Sequence, residues 1–131
     1  MFKLCTNFSM FPDNHQLGPN FTLSGMKFHD LGPSASFVND TQSTRGLQFF
    51  DQGLEITLPT PAKYVDLQLG QFNSDFVIEA YDPGGKLISN LVVSAPNTFM
   101  YQQIIGPDVS HLRFLGGGNE AVVVEICMLV P

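Results

Sequence analysis

Residues 64–85 read YVDLQLGQFNSDFVIEAYDPGG, and this stretch decides the fold class. Val65, Leu67 and Leu69 alternate with Tyr64, Asp66 and Gln68, the period-2 pattern of a strand with one buried and one wet face. Phe76, Ile78 and Ala80 alternate with Val77, Glu79 and Tyr81 in the same way. Asp82-Pro83-Gly84-Gly85 then reads as a turn, because Pro presets φ and Gly tolerates the left-handed region. No long stretch of the chain carries a 3.6-residue period, so helices are not predicted.

The same pattern continues outward. Leu87–Ser94 and Phe99–Ile105 are apolar on both faces in places, which leaves their registers open. Leu112 and Phe114 alternate with His111, Arg113 and Leu115, and Gly116-Gly117-Gly118-Asn119 is predicted to close a last hairpin. In the final run, Val122, Val124 and Ile126 are expected on one face, with Val123, Glu125 and Cys127 on the other. Upstream, Lys3–Phe8, Phe21–Leu23, Met26–His29 and Ser36–Val38 read as short strands, and Asn39–Arg45 as a polar loop. Leu47–Phe50 and Leu54–Leu58 flank Asp51-Gln52-Gly53, a predicted hairpin. Pro59-Thr60-Pro61 is expected to end its pairing, since Pro donates no ladder hydrogen bond. Many short strands within one domain, residues 1–131, point to an all-β, two-sheet antiparallel β-sandwich with jelly-roll topology. A closed barrel is the competing architecture.

Cys5 and Cys127, the only cysteines, lie near the two ends of the chain, each in a strand-like run. A jelly roll sets its first and last strands side by side, which is what a bridge between these residues requires. In the chain-entropy account, closing so long a loop stabilises by about 4 to 5 kcal/mol. Two buried free thiols acting as small hydrophobes are the alternative.

Composition narrows the function classes. The chain has 12 Phe, no Trp and only 14% charged residues, with a net charge of −6. Too few Lys and Arg are present to displace counterions from a phosphate backbone, so no nucleic acid is expected as a partner. No apolar run is long enough for a membrane span. The opening MFKLCTNFSM lacks the apolar stretch and cleavage site of a secretory leader. Either a leader has been removed or the protein is made without one. Sequons at Asn7, Asn20 and Asn39 accord with a secreted protein, although Asn7 falls in a predicted strand.

From Lys63 to Met128 the chain resembles the galactose-binding-like jelly-roll domains of bacterial surface and secreted proteins. The carriers are VDLQLG, FVIEAYDPGGKLI, GPDVSHLRFLGGGNEA and the closing VVVEIC, with the opening CTNF similar to a first strand of such domains. The resemblance implies a noncatalytic, extracellular module that binds carbohydrate through loops at one end and holds a structural calcium near the chain termini. The absence of Trp departs from many sugar binders, which stack sugars on that ring.

Sugar binding needs an aromatic face for C–H groups and fixed polar partners for hydroxyls. Tyr81, Tyr101, His111 and Arg113 supply both, if their strands adjoin. The plain alternative is that the tyrosines cover sheet surface and Arg113 pairs with a nearby acid. Calcium takes hard oxygen ligands, which Asn39, Asp40 and Glu125 could supply. His15, His29 and His111 show no zinc spacing, and neither a Gly-x-Ser-x-Gly elbow nor a P-loop occurs. Paired carboxylates among Asp66, Glu79 and Glu125 would serve glycoside hydrolysis only if the fold brought two together. The expected function is therefore that of a noncatalytic carbohydrate-binding or adhesion module, with a carbohydrate or a protein surface as its partner. The leading alternative is a self-assembling structural subunit, a homo-oligomer of phage-decoration or filament type, burying exposed Phe2, Phe11, Phe72 or Phe99 against another chain.

Overall fold

Ten strands, all paired antiparallel, make up the computed structural model, which describes residues 2–94 and 97–130. They are β1 (Phe2–Asn7), β2 (Asn20–Leu23), β3 (Met26–Asp30), β4 (Phe37–Thr41), β5 (Thr44–Phe49), β6 (Leu54–Gln71), β7 (Phe76–Tyr81), β8 (Leu87–Val93), β9 (Thr98–Gly116) and β10 (Ala121–Val130). Among the described residues no helix is long and apolar enough to cross a membrane.

The two long strands organise the sandwich. The first part of β6 lies between β3 and β9, whereas its second part lies between β10 and β9. β9 switches in the opposite order: Thr98–Ile105 pairs only with β6, and from His111 onward the strand also holds β7. Sheet 1 is therefore β2-β3-β6-β9-β7-β8, and sheet 2 is β4-β5-β10-β6-β9, with β1 on the same edge of β10 as β5. Pairing becomes irregular between Thr57 and Tyr64, where Pro59, Pro61 and Pro107 cannot donate ladder hydrogen bonds. Buried Ala62 and Val109 meet at that crease. The Pro59-Thr60-Pro61 segment thus bends β6 from one sheet into the other instead of ending it.

Between the sheets lie the side chains that the alternation assigned inward. Val65, Leu67, Leu69, Phe76, Ile78, Ala80, Leu112 and Phe114 are all buried. Phe49 packs edge-on against Phe76 at a ring separation of 5.7 Å, and Phe8 against Phe28 at 5.9 Å. Complete burial of an aliphatic or Phe side chain stabilises by about 1.5 to 3 kcal/mol, so this face dominates the fold.

Four local expectations are corrected. Asn39–Arg45 is a hairpin, not a loop: Gln42 and Ser43 have φ of 51° and 65°, the two left-handed residues of a type I′ turn. Among the described residues β5 does not pair with β6, nor β9 with β10. Both predicted hairpin turns carry the chain between sheets instead. Asp51 and Asn119 clasp these crossings together. The N–H of Gly118 donates to Asp51 Oδ1 at 2.5 Å, and the N–H of Asp51 donates to Asn119 Oδ1 at 2.9 Å. Gly116, Gly117 and Gly118 all hold positive φ, which explains the glycine triplet. Finally, a bulge at Val123–Glu125 reverses the alternation of β10. Ala121, Val123, Ile126 and Met128 face the core, while Val122 and Val124 belong to the other face.

Cys5 and Cys127 are directly opposite in β1 and β10, with Cα atoms 4.1 Å apart, and form a disulfide. Cys5→Ser together with Cys127→Ser is expected to lower stability by about 3 to 5 kcal/mol, read from the urea midpoint of the unreduced proteins. A shift below about 1 kcal/mol would show that the β1–β10 ladder suffices without the bridge.

Asp30, 4% exposed, accepts hydrogen bonds at Oδ2 from the Ser36 N–H and hydroxyl, at 2.9 and 3.1 Å. Its Oδ1 has no partner among the described residues. Burial raises the carboxyl above its ordinary range, against the lowering effect of Ser36 and His29. An acid with a raised folded pKa binds protons more readily when folded. Its contribution to stability is complete below the unfolded value and is lost as pH rises through the folded one. Asp30→Asn, which keeps an acceptor for Ser36, is therefore expected to remove a decline in stability above the ordinary carboxylate range. Urea midpoints across pH that fall equally in both proteins would refute that role.

Candidate functional site

Strand pairing sorts the predicted ligand residues onto two outer faces. On sheet 1, the registers align Asn20, His29, Glu55, Arg113, Glu79 and Asn90 in one cross-strand row. Thr22, Lys27, Thr57, His111, Tyr81 and Leu87 form the next. Tyr81, His111 and Arg113 thus come together, with Glu55, around a shallow hollow of about 390 Å³.

Those side chains largely satisfy one another. Arg113 donates from Nε to Glu55 Oε2 at 2.7 Å, and its guanidinium lies 5.7 Å from the centre of the Tyr81 ring. Tyr81 donates its hydroxyl to Glu79 at 2.8 Å, and His111 Nδ1 lies 3.2 Å from Thr57 Oγ1. The Glu55 hydrogen bond holds the Arg113 pKa above its ordinary value, and the Glu79 hydrogen bond raises that of Tyr81. The Arg113–acid pairing foreseen as the plain alternative is what the structure contains. Arg113 thus occupies one face of the Tyr81 ring.

Tyr101 stands elsewhere, on the outer face of sheet 2, and is 79% exposed. It lies opposite Gln68 on β6, which in turn lies opposite Glu125 on β10 and, beyond it, Asn7 on β1. The neighbouring row is Gln103, Asp66, Cys127 and Cys5. Lys3, Asp66, Gln68, Tyr101, Gln103 and Glu125 border a hollow of about 470 Å³. Through Gln68 and Glu125 it continues into a wider depression of about 770 Å³ beside Asn7, Ser9, Thr44 and Arg45. Gln103 donates to Asp66 at 2.7 Å. The side chains of Lys3, Gln68 and Glu125, which border this hollow, make no hydrogen bond among the described residues, so their polar atoms remain open to a ligand.

Asn39, Asp40 and Glu125 do not form one cluster: Asp40 and Glu125 border a common depression, and Asn39 does not. Adjacent strand residues point to opposite faces, so Asn39 and Asp40 diverge. Asn39 donates to Gln48 at 2.6 Å, and Asp40 accepts both Nε and Nη2 of Arg45, at 3.0 and 2.6 Å. Those hydrogen bonds from Arg45 hold the Asp40 carboxyl below its ordinary range. Glu125 alone remains free, in the groove beside Asp40. Among the described residues, the one group of three potential metal ligands is Cys5, Glu125 and Cys127, and its two sulfurs are joined to each other.

Of the carboxylates considered for hydrolysis, Asp66 and Glu125 share the sheet 2 groove, and Glu79 lies on the other sheet. Of the phenylalanines expected to be exposed, Phe2 is 59% accessible. Phe11 is half-buried and stacks on His15, and half-buried Phe72 and Phe99 pack against each other. Gln68 and Lys3 escaped the sequence reading because residues of this type become site residues only through strand pairing.

No family model matches the chain, and no curated protein matches it by sequence. Among solved structures, the chain is similar to the module CsCBM6-3 from Clostridium stercorarium in complex with cellobiose. Identity is 13%, coverage 87% of this chain and 90% of that one, and the TM-score 0.50. It is similar also to the arabinose-bound α-L-arabinofuranosidase MgGH51, at 12% identity over 87% of this chain and 25% of that one, with a TM-score of 0.50. A family 6 carbohydrate-binding module aligns at 15% identity, covering 76% of this chain and 89% of that one, with a TM-score of 0.49. At these identities the likeness concerns the fold alone, and the two matches at a TM-score of 0.50 agree with the β-sandwich drawn from the sequence.

If Tyr101 serves a ligand and not the fold, Tyr101→Ala is expected to change stability by less than about 0.5 kcal/mol. Arg113→Ala removes the partner of Glu55 and the cover of Tyr81, and is expected to cost about 1 kcal/mol. Urea unfolding of both variants checks this. A strongly destabilised Tyr101 variant would make that ring structural.

Proposed function

We propose that the protein is a noncatalytic carbohydrate-binding module whose ligand lies in the sheet 2 groove. One observation carries the reading: Tyr101 presents an uncovered ring beside polar side chains without protein partners. An aromatic face accepts the apolar side of a sugar, and amides and carboxylates accept or donate to its hydroxyls. Asp66 and Glu125 give the floor a negative character, which favours neutral sugars over uronates. The solved module with cellobiose supports this choice of ligand class. The cystine fits an oxidising, extracellular setting.

A glycan array followed by titration calorimetry tests the reading. Binding by the wild type is expected to weaken about tenfold or more in Tyr101→Ala and to persist in Arg113→Ala. Binding that survives Tyr101→Ala but vanishes in Arg113→Ala would move the site to sheet 1. A blank array together with concentration-dependent self-association would favour the assembly subunit.

A further inference from the structure

A second aromatic ring shares the face that carries Tyr101. Tyr64 is 41% exposed, and it precedes Gln68, the partner of Tyr101, by four residues on β6. Even residue spacing keeps both side chains on the outer face, and Tyr64 pairs with Ile105 in the same register. Strand rise and strand spacing put the two tyrosines about 14 Å apart at their Cα atoms. Asp66 and Gln103, joined by their 2.7 Å hydrogen bond, form the floor between them. Ile105, 60% exposed, extends the apolar surface beside Tyr64. On its far side Tyr64 borders an apolar hollow of about 330 Å³, walled by Pro61, Pro107, Leu129 and Val130.

The spacing of these two exposed rings exceeds what a single sugar can touch. Resting on the carbohydrate reading above, we infer that Tyr64 is a second stacking platform of the same site. The ligand is then a neutral oligosaccharide or polysaccharide segment laid along β6, one sugar on Tyr101 and a later one on Tyr64. Asp66 and Gln103 engage hydroxyls between them: Asp66 retains a free carboxylate oxygen, and Gln103 its amide carbonyl. Continuity along one strand face singles out this occupant for the apolar hollow, because a chain held at Tyr101 and running over Asp66 reaches Tyr64 next. The module therefore selects chain length: short sugars occupy one platform, longer ones both.

The test is a ladder of cello-, xylo- and manno-oligosaccharides, dimer to hexamer, titrated by calorimetry into wild type, Tyr64→Ala and Tyr64→Phe. In the wild type, affinity is expected to rise about tenfold between the shortest and longest bound members. Tyr64→Ala should flatten that rise, and Tyr64→Phe, which keeps the ring, should restore it. Equal affinity along the ladder, or a rise that survives Tyr64→Ala, overturns the second platform and leaves the Tyr101 site standing. Wild type that binds none of the three ladders overturns it too. If the glycan array is also blank, the carbohydrate reading falls with it. Circular dichroism of each variant separates these outcomes from misfolding.

Discussion

The pairing of β6 with β9 is the constraint on which the remaining architecture depends. Both strands leave one sheet and enter the other, and they do so together, hydrogen-bonded to each other on either side of the crease. Pro59, Pro61 and Pro107 interrupt the ladder where it must bend. Every other strand then adds to an edge already in place: β3 and β7 in sheet 1, β10 in sheet 2, and β1 and β5 upon β10. Shared strands also fix how the sheets face each other, so the inward rows interlock without a separate docking step.

The two outer faces are chemically unlike, although the same two strands run through both. On sheet 1, opposite charges and hydrogen-bonding groups fall next to one another in register, and they neutralise one another. On sheet 2, register sets Gln68 between Tyr101 and Glu125, and among the described residues its side chain bonds to neither. A side chain that finds its partner within the sheet is poor material for recognition, since a ligand must displace that partner. One that stays hydrated gives up only water. This contrast, more than the number of polar residues, distinguishes the faces.

Much of this was legible in the sequence, and the rest was hidden for physical reasons. Period-2 alternation in Tyr64–Leu69 and Phe76–Tyr81 fixed the inner face because each of those strands is regular. Asp51-Gln52-Gly53 and the Gly116–Asn119 turn carry the chemistry of tight turns, and such chemistry reverses a chain without specifying whether the next strand stays in the same sheet. Gln42-Ser43 adopts a I′ turn without Gly or Asn, with Asp40 and Arg45 holding the strands that flank it. The separation of Tyr101 from Tyr81 could not be read locally: Phe99–Ile105 is apolar on both faces in places, and its β6 neighbours lie 29 to 41 residues away in sequence.

The bulge in β10 has a consequence for how this fold can vary. Core-facing positions are odd-numbered before it and even-numbered after it, so the strand counts its residues in two halves that differ by one. Removal of Val124 would restore unbroken alternation, because Ala121, Val123, Ile126 and Met128 would then be evenly spaced along the strand. Gly46 guards the same spot, since a Cβ there would strike Val122 and the Val123 carbonyl. The extra residue falls where the edge of β10 passes from β5 to β1, so it marks a change of neighbour and is not a demand of the core.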